Sequence, residues 1–168
     1  MLLLLVRHAI AEDRIAFART GQPDDQRPLS SAGRKKMRLV SEALRDLLPS
    51  PDLLVSSPLV RARQTAQVLA AAVDLQIVEC PALAPSGEPA QVFHFLAGRR
   101  GARTVIAVGH EPGLSQLAGF ALTGRAQALF SLKKGAACLL DVAPAWRGGA
   151  ATLVWMLTPA QLRALAPA

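Results

Sequence analysis

The sequence contains no tyrosine, two tryptophans and five phenylalanines. A core must therefore be built mainly from Leu, Val and Ala. The shortage also argues against a nucleic-acid-binding surface, which needs a basic stripe interleaved with aromatics; none is visible. There are two cysteines, Cys80 and Cys138, and neither belongs to a Cys-x-x-Cys or Cys/His cluster. That pattern predicts reduced, half-buried thiols in a cytoplasmic protein. Long apolar runs are missing too. Met1 to Val6 is broken by Arg7-His8 and has no basic segment before it. This predicts a buried first strand rather than a cleavage signal or a membrane span, and no membrane partner.

Charged residues make up 18% of the chain, and the formal net charge is +7. Such a balance fits either an anionic partner or an Arg-rich solvated surface, since Arg is spread along the whole sequence. The length of 168 residues and a 51% hydrophobic content predict one domain over residues 1–168 with a real core. No repeat, linker or low-complexity segment divides it.

Strands are expected at 2–6, 53–56, 75–79, 104–108, 136–142 and 151–157. Residues 9–28 read as polar and irregular. A helical period starts after Ser30, with Met37, Val40, Leu44 and Leu47 on one face, and Pro49 ends it. Ser57-Pro58 reads as an N-cap followed by a first-turn proline, opening a helix to about Ala72. Further helices are expected near 90–98, from Pro112 to about Thr123, and from Pro159. Alternating strands and helices predict an α/β three-layer sandwich. Its central sheet is mostly parallel and flanked by helices, with no large lid insertion.

In such sheets ligands bind outside the carboxyl ends of the strands. Arg7-His8 follows the first strand, Arg61 lies in the first turn after the second, and His110 follows the strand at 104–108. One topological rule thus puts them on one rim. A neutral imidazole is a nucleophile near neutral pH. Two guanidiniums can hold phosphoryl oxygens, and a second histidine can add a hydrogen bond, stronger when protonated. No carboxylate cluster accompanies the histidines, so neither a metal nor a cofactor is expected. A single strand-end histidine is more often a satisfied polar residue; the joint occurrence carries the functional reading. His94 lies away from any strand end and reads as an ordinary helix residue.

These residues resemble the histidine phosphatase superfamily, also called phosphoglycerate-mutase-like, and in particular its small SixA-type phosphohistidine phosphatase branch. The resemblance rests on Leu5-Val6-Arg7-His8-Ala9, on Arg27-Pro28-Leu29-Ser30 with Gly33, on the stretch from Val55 to Thr65, and on Val108-Gly109-His110-Glu111-Pro112. It implies His8 as the phosphorylated nucleophile and Arg7, Arg61 and His110 as the phosphate pocket. Arg27 is either an outer-rim substrate contact or a surface partner of Asp24 or Asp25.

One element of the larger superfamily is missing. Its phosphomonoesterases and mutases carry an acidic proton donor after the third strand, where this chain reads Pro81-Ala82-Leu83-Ala84-Pro85-Ser86-Gly87-Glu88. An alkoxide leaving group needs that proton, whereas an imidazole, with a pKa of about 6.5, acquires one readily. The expectation is therefore a phosphatase acting on phosphohistidine, on a protein. Glu111 and Glu88 are candidate donors, or simply acids favoured near a helix N-terminus. The alternatives are a small phosphate-ester phosphatase of the same superfamily and a non-catalytic phospho-ligand-binding protein.

Overall fold

The computed structural model describes residues 1–99, 101–144 and 146–167. Six strands form one sheet: β1 (Leu2–Arg7), β2 (Leu53–Ser56), β3 (Ile77–Glu79), β4 (Thr104–Gly109), β5 (Ala137–Val142) and β6 (Ala151–Leu157). Their order is β3-β2-β4-β1-β5-β6. The first four in that order run parallel, and β5 and β6 close the sheet antiparallel.

Among the described residues six α-helices accompany the sheet: α1 (Arg14–Ala18), α2 (Ser31–Leu47), α3 (Val60–Val73), α4 (Pro89–Ala97), α5 (Gly113–Thr123) and α6 (Pro159–Ala164). The unbroken apolar run of β1 follows from its central place, because both of its faces are covered. Leu3 and Leu5 join one core with Val92, Phe93 and Leu96 of α4 and Leu114 and Leu117 of α5. Leu4 and Val6 join a second core with Met37, Val40 and Leu44 of α2, Ala66 and Leu69 of α3 and Leu162 of α6. The result is the expected three-layer sandwich. Among the described residues no helix is long and apolar enough to cross a membrane.

Several local expectations need correction. Residues 9–28 are not wholly irregular. Asp13 Oδ1 accepts from the amides of Ile15 and Ala16, which starts α1. A 3-10 turn follows at Asp24–Gln26. The third strand begins at Ile77 rather than at 75, because Asp74 turns left-handed at φ 53° to end α3. Helix α3 begins at Val60, and its N-cap Leu59 has no side-chain cap bond. Ser57 is therefore not the N-cap of α3. Both cysteines are fully buried rather than half-buried. Burial pushes the Cys138 thiol up to about 12.

Candidate active site

The carboxyl ends of β1, β2 and β4 lie side by side. His8 N donates to Gly109 O at 3.0 Å and Ser57 N to Val108 O at 3.0 Å, so the loops leaving all three strands start in register. Arg7-His8, Ser57 and His110 meet there, as the strand-edge rule requires.

His8 is 5% exposed. Its Nδ1 lies 2.7 Å from Ala9 O. A carbonyl only accepts, so Nδ1 carries the proton and Nε2 keeps its lone pair. Ala9 is itself fixed, because its amide donates to Thr65 Oγ1 at 3.0 Å and that hydroxyl donates to Arg61 O at 2.7 Å. Burial lowers the His8 pKa to about 4 against the opposing bond to Ala9, helped by the charges of Arg61, Arg7 and Lys134. The imidazole is neutral at neutral pH, the form a nucleophile needs.

His110 is equally enclosed, and its ring centroid lies 5.0 Å from that of His8 at 54°. Burial, then His8, Arg61 and Arg7, lower its pKa to about 3. The added strength expected from a protonated His110 is thus absent at neutral pH, and a neutral ring does the donating. Its Nε2 lies 2.8 Å from Ser57 Oγ. That hydroxyl accepts from Leu59 N at 3.3 Å and has His110 as its acceptor. No other acceptor for the Ser57 hydroxyl proton is found among the described residues, so Nε2 accepts that hydrogen bond and Nδ1 carries the N–H of His110.

Arg7 Nη1 donates to Leu132 O at 2.5 Å. Arg61 is 5% exposed; its Nη1 meets Asp24 O at 2.8 Å and Asp24 Oδ2 at 3.2 Å. Three buried side-chain atoms among the described residues have no partner: Arg7 Nε, Arg61 Nε and His110 Nδ1. All three are donors, on the side chains whose charge or packing bears on His8. An unmet buried donor costs about 1–3 kcal/mol. Anions suit donors of this kind, and phosphoryl oxygens suit guanidinium in particular. Among the described residues no group of three or more His, Cys, Asp or Glu is placed to hold a metal ion.

Arg27 sits on this rim, 8% exposed, with Nε on Asp24 Oδ1 at 2.8 Å and Nη1 on Glu12 O at 2.9 Å. Its pairing with Asp24 is realised, with the Arg27 side chain buried and the Asp24 carboxylate still partly exposed. The hydrogen bond from Arg27 holds the Asp24 carboxyl below the usual carboxylate range against the opposing effect of burial, with the charges of Arg61, Arg27 and Arg14 adding to it. Asp24 thereby ties two rim arginines together. The candidate site residues read from the sequence did not include it, although its spacing of three from Arg27 was a usable signal.

The two candidate proton donors are placed differently. Glu111 Oε1 accepts from Leu132 N at 2.8 Å, and Oε2 from Ser115 Oγ. Leu132 in turn holds Arg7 through its carbonyl, so Glu111 reaches the site through the backbone of one residue. Glu88 is exposed at the start of α4, its amide 3.4 Å from Gln91 Oε1. His94 is exposed on α4.

The segment Arg27-Pro28-Leu29-Ser30 has a structural task as well. Ser30 N and Oγ both donate to Ile10 O, at 3.0 and 3.2 Å, and Leu29 N donates to Gln64 Oε1 at 2.8 Å. These bonds clamp the loop that follows His8.

Known proteins share this fold. Residues 3–85 match the family model of the histidine phosphatase superfamily (branch 1). An uncharacterized protein from Picosynechococcus sp. is 34% identical over 139 residues, 80% of this chain and 81% of that one. The structure of the protein histidine phosphatase SixA complexed with tungstate superposes with a TM-score of 0.82 at 22% identity, over 96% of this chain and 99% of that one. A putative alpha-ribazole-5'-P phosphatase from Escherichia coli K-12 gives 0.73 at 20% identity, over 95% and 98%. With the rim histidines and arginines in place and these similarities across the chain, the protein belongs to the histidine phosphatase superfamily, branch 1, as one of its phosphatases.

Proposed function

We propose that the chain hydrolyses phosphohistidine on a protein, through a phosphorylated His8. The observation that carries this reading is how the acids on the rim are used. Glu111 is the acid nearest in sequence to the pocket histidines, and its carboxylate is committed to Leu132 N and Ser115 Oγ. Glu88 is exposed at a helix start. A leaving group that needs little protonation suits such a site, and imidazole is one.

In the first step the His8 Nε2 lone pair attacks phosphorus in line. The bond from phosphorus to the substrate imidazole nitrogen breaks, and its electrons stay on that nitrogen, which takes a proton from water. Arg7, Arg61 and the His110 N–H hold the equatorial oxygens where charge gathers. Water then attacks phospho-His8, releasing inorganic phosphate and the free imidazole. Transfer between two imidazoles is close to isoenergetic, so neither step needs strong acid help. The fit of the fold to SixA supports a substrate presented on a protein surface.

The test is a substrate panel of a phosphohistidine protein, free phosphohistidine and common phosphate esters, with trapping of the intermediate. The expected result is a preference for phosphohistidine, an acid-labile phosphoenzyme, and loss of both in His8→Ala. Faster turnover of an ester overturns the substrate assignment, and full turnover by His8→Ala overturns the mechanism.

A further inference from the structure

Beside the nucleophile lies a pocket of about 190 Å³ that the phosphoryl chemistry does not use. It shares a wall with the active site. Ala9, whose carbonyl holds the His8 ring, lines it, and so does Gly135, whose amide donates to Arg7 O at 3.1 Å. The lining includes Met37 of α2 and Pro159 of α6, and it includes Ile10, which is 36% exposed. Three cations also line it: Lys36, Lys134 and Arg163.

No acid lines this pocket, and none of the three cations makes an ion pair among the described residues. Elsewhere on the rim the contrast is plain, since Arg14, Arg27 and Arg61 all share Asp24. Converging cations without carboxylates give a positive local field over an apolar surface. An occupant that suits this lining offers an apolar side chain with carboxylates next to it. Recognition through one inserted apolar anchor and a charged rim is a common division of labour at protein interfaces.

We propose that this pocket is a docking subsite for the phosphoprotein substrate, receiving an apolar side chain flanked by carboxylates close to the phosphohistidine. This rests on the phosphohistidine reading above. The subsite would select among phosphoproteins, while Arg7, Arg61 and His110 handle the phosphoryl group common to all of them. Its place beside Ala9 means that a bound flank and the phosphoryl group would be engaged together.

The test uses the full chain with free phosphohistidine and a series of phosphohistidine peptides. In the series a Glu-Leu-Glu triplet is moved along either side of the phosphohistidine and compared with Lys-Ser-Lys at the same places. At one placement kcat/KM should exceed that of its Lys-Ser-Lys partner about tenfold, as two or three exposed ion pairs allow. In the double variant K36E/R163E that ratio should fall to near one or below. Turnover of free phosphohistidine with no preference at any placement overturns the subsite and leaves the activity standing. A preference that persists in the double variant also overturns it. No turnover of any phosphohistidine compound overturns the activity, and with it the substrate named here. If the double variant fails to fold, K36Q/R163Q takes its place, with the same expected loss of preference and the same overturning result.

Discussion

His8 and His110 face each other with ring centroids 5.0 Å apart, and both are neutral at neutral pH. One ring is held with Nδ1 protonated by Ala9 O, the other by the hydroxyl of Ser57. The same tautomer therefore serves opposite purposes. In His8 it exposes a lone pair on Nε2, and in His110 it leaves an N–H on Nδ1. Burial, with Arg7 and Arg61 adding to it, keeps both rings from charging, so the positive charges that act on them are those of Arg7, Arg61 and, at His8, Lys134. That is a sensible division for a site whose nucleophile must remain unprotonated beside an anion.

Stability should fall in weak acid. In the unfolded chain both histidines protonate near pH 6.5. In the fold His8 stays neutral to about 4 and His110 to about 3. Between those values the unfolded state binds more protons, so the contribution is whole above about pH 6.5 and is lost as pH falls. The slope approaches roughly 1.4 kcal/mol per pH unit for each histidine. Urea denaturation at pH 7, 6, 5 and 4.5 measures it. His110→Gln should remove one histidine's share of the slope, and an unaltered slope would contradict the burial argument.

Glu111 should behave as a positioning residue. Glu111→Gln keeps an oxygen for Leu132 N and offers an amide to Ser115 Oγ, but it cannot supply a proton. Glu111→Ala removes both contacts and frees the Leu132 peptide that holds Arg7. The Gln variant should retain most activity. The Ala variant should lose stability by about 1–3 kcal/mol and show a raised KM. A general acid would fail in both variants, chiefly in kcat and chiefly on esters.

The sheet and the rim were legible in the sequence because both follow from local pattern. Apolar runs marked the strands, and the strand-end rule placed Arg7, His8, Arg61 and His110 together. Partners chosen by tertiary structure were not legible. Ser57-Pro58 carries every local sign of a helix start, yet His110 claims the hydroxyl and α3 begins at Val60. Leu132 could not be linked to Arg7, because no spacing rule spans 125 residues. The role of Lys134 beside His8 was hidden for the same reason.

Ser57 supplies a direct check on the tautomer of His110. Ser57→Ala leaves Nε2 without its partner, so the proton can occupy either ring nitrogen. The kcat/KM should drop about tenfold, the weight of one hydrogen bond of ~1 kcal/mol or slightly more. Nitrogen NMR of His110 should show the proton mainly on Nδ1 in the unmodified protein and mixed in the variant. An unchanged spectrum would remove Ser57 from the site.

Gly33→Ala tests the clamp beneath the nucleophile. Helix propensity alone favours alanine here by about 1 kcal/mol, since Gly33 lies in the first turn of α2. Packing argues the other way. A β-carbon at 33 would lie 2.0 Å from Ile10 O and 2.9 Å from Ile10 C, both backbone atoms that cannot rotate aside. Either α2 or the loop must move, and Ile10 O is the acceptor for both Ser30 N and Ser30 Oγ. Overpacking of this kind costs about 1–3 kcal/mol, so the net effect should be a lower denaturation midpoint. Activity should fall too, because Ile10 follows Ala9, whose carbonyl fixes the His8 ring. A more stable, fully active Gly33→Ala would mean that the close approach of α2 is not what holds the nucleophile in place.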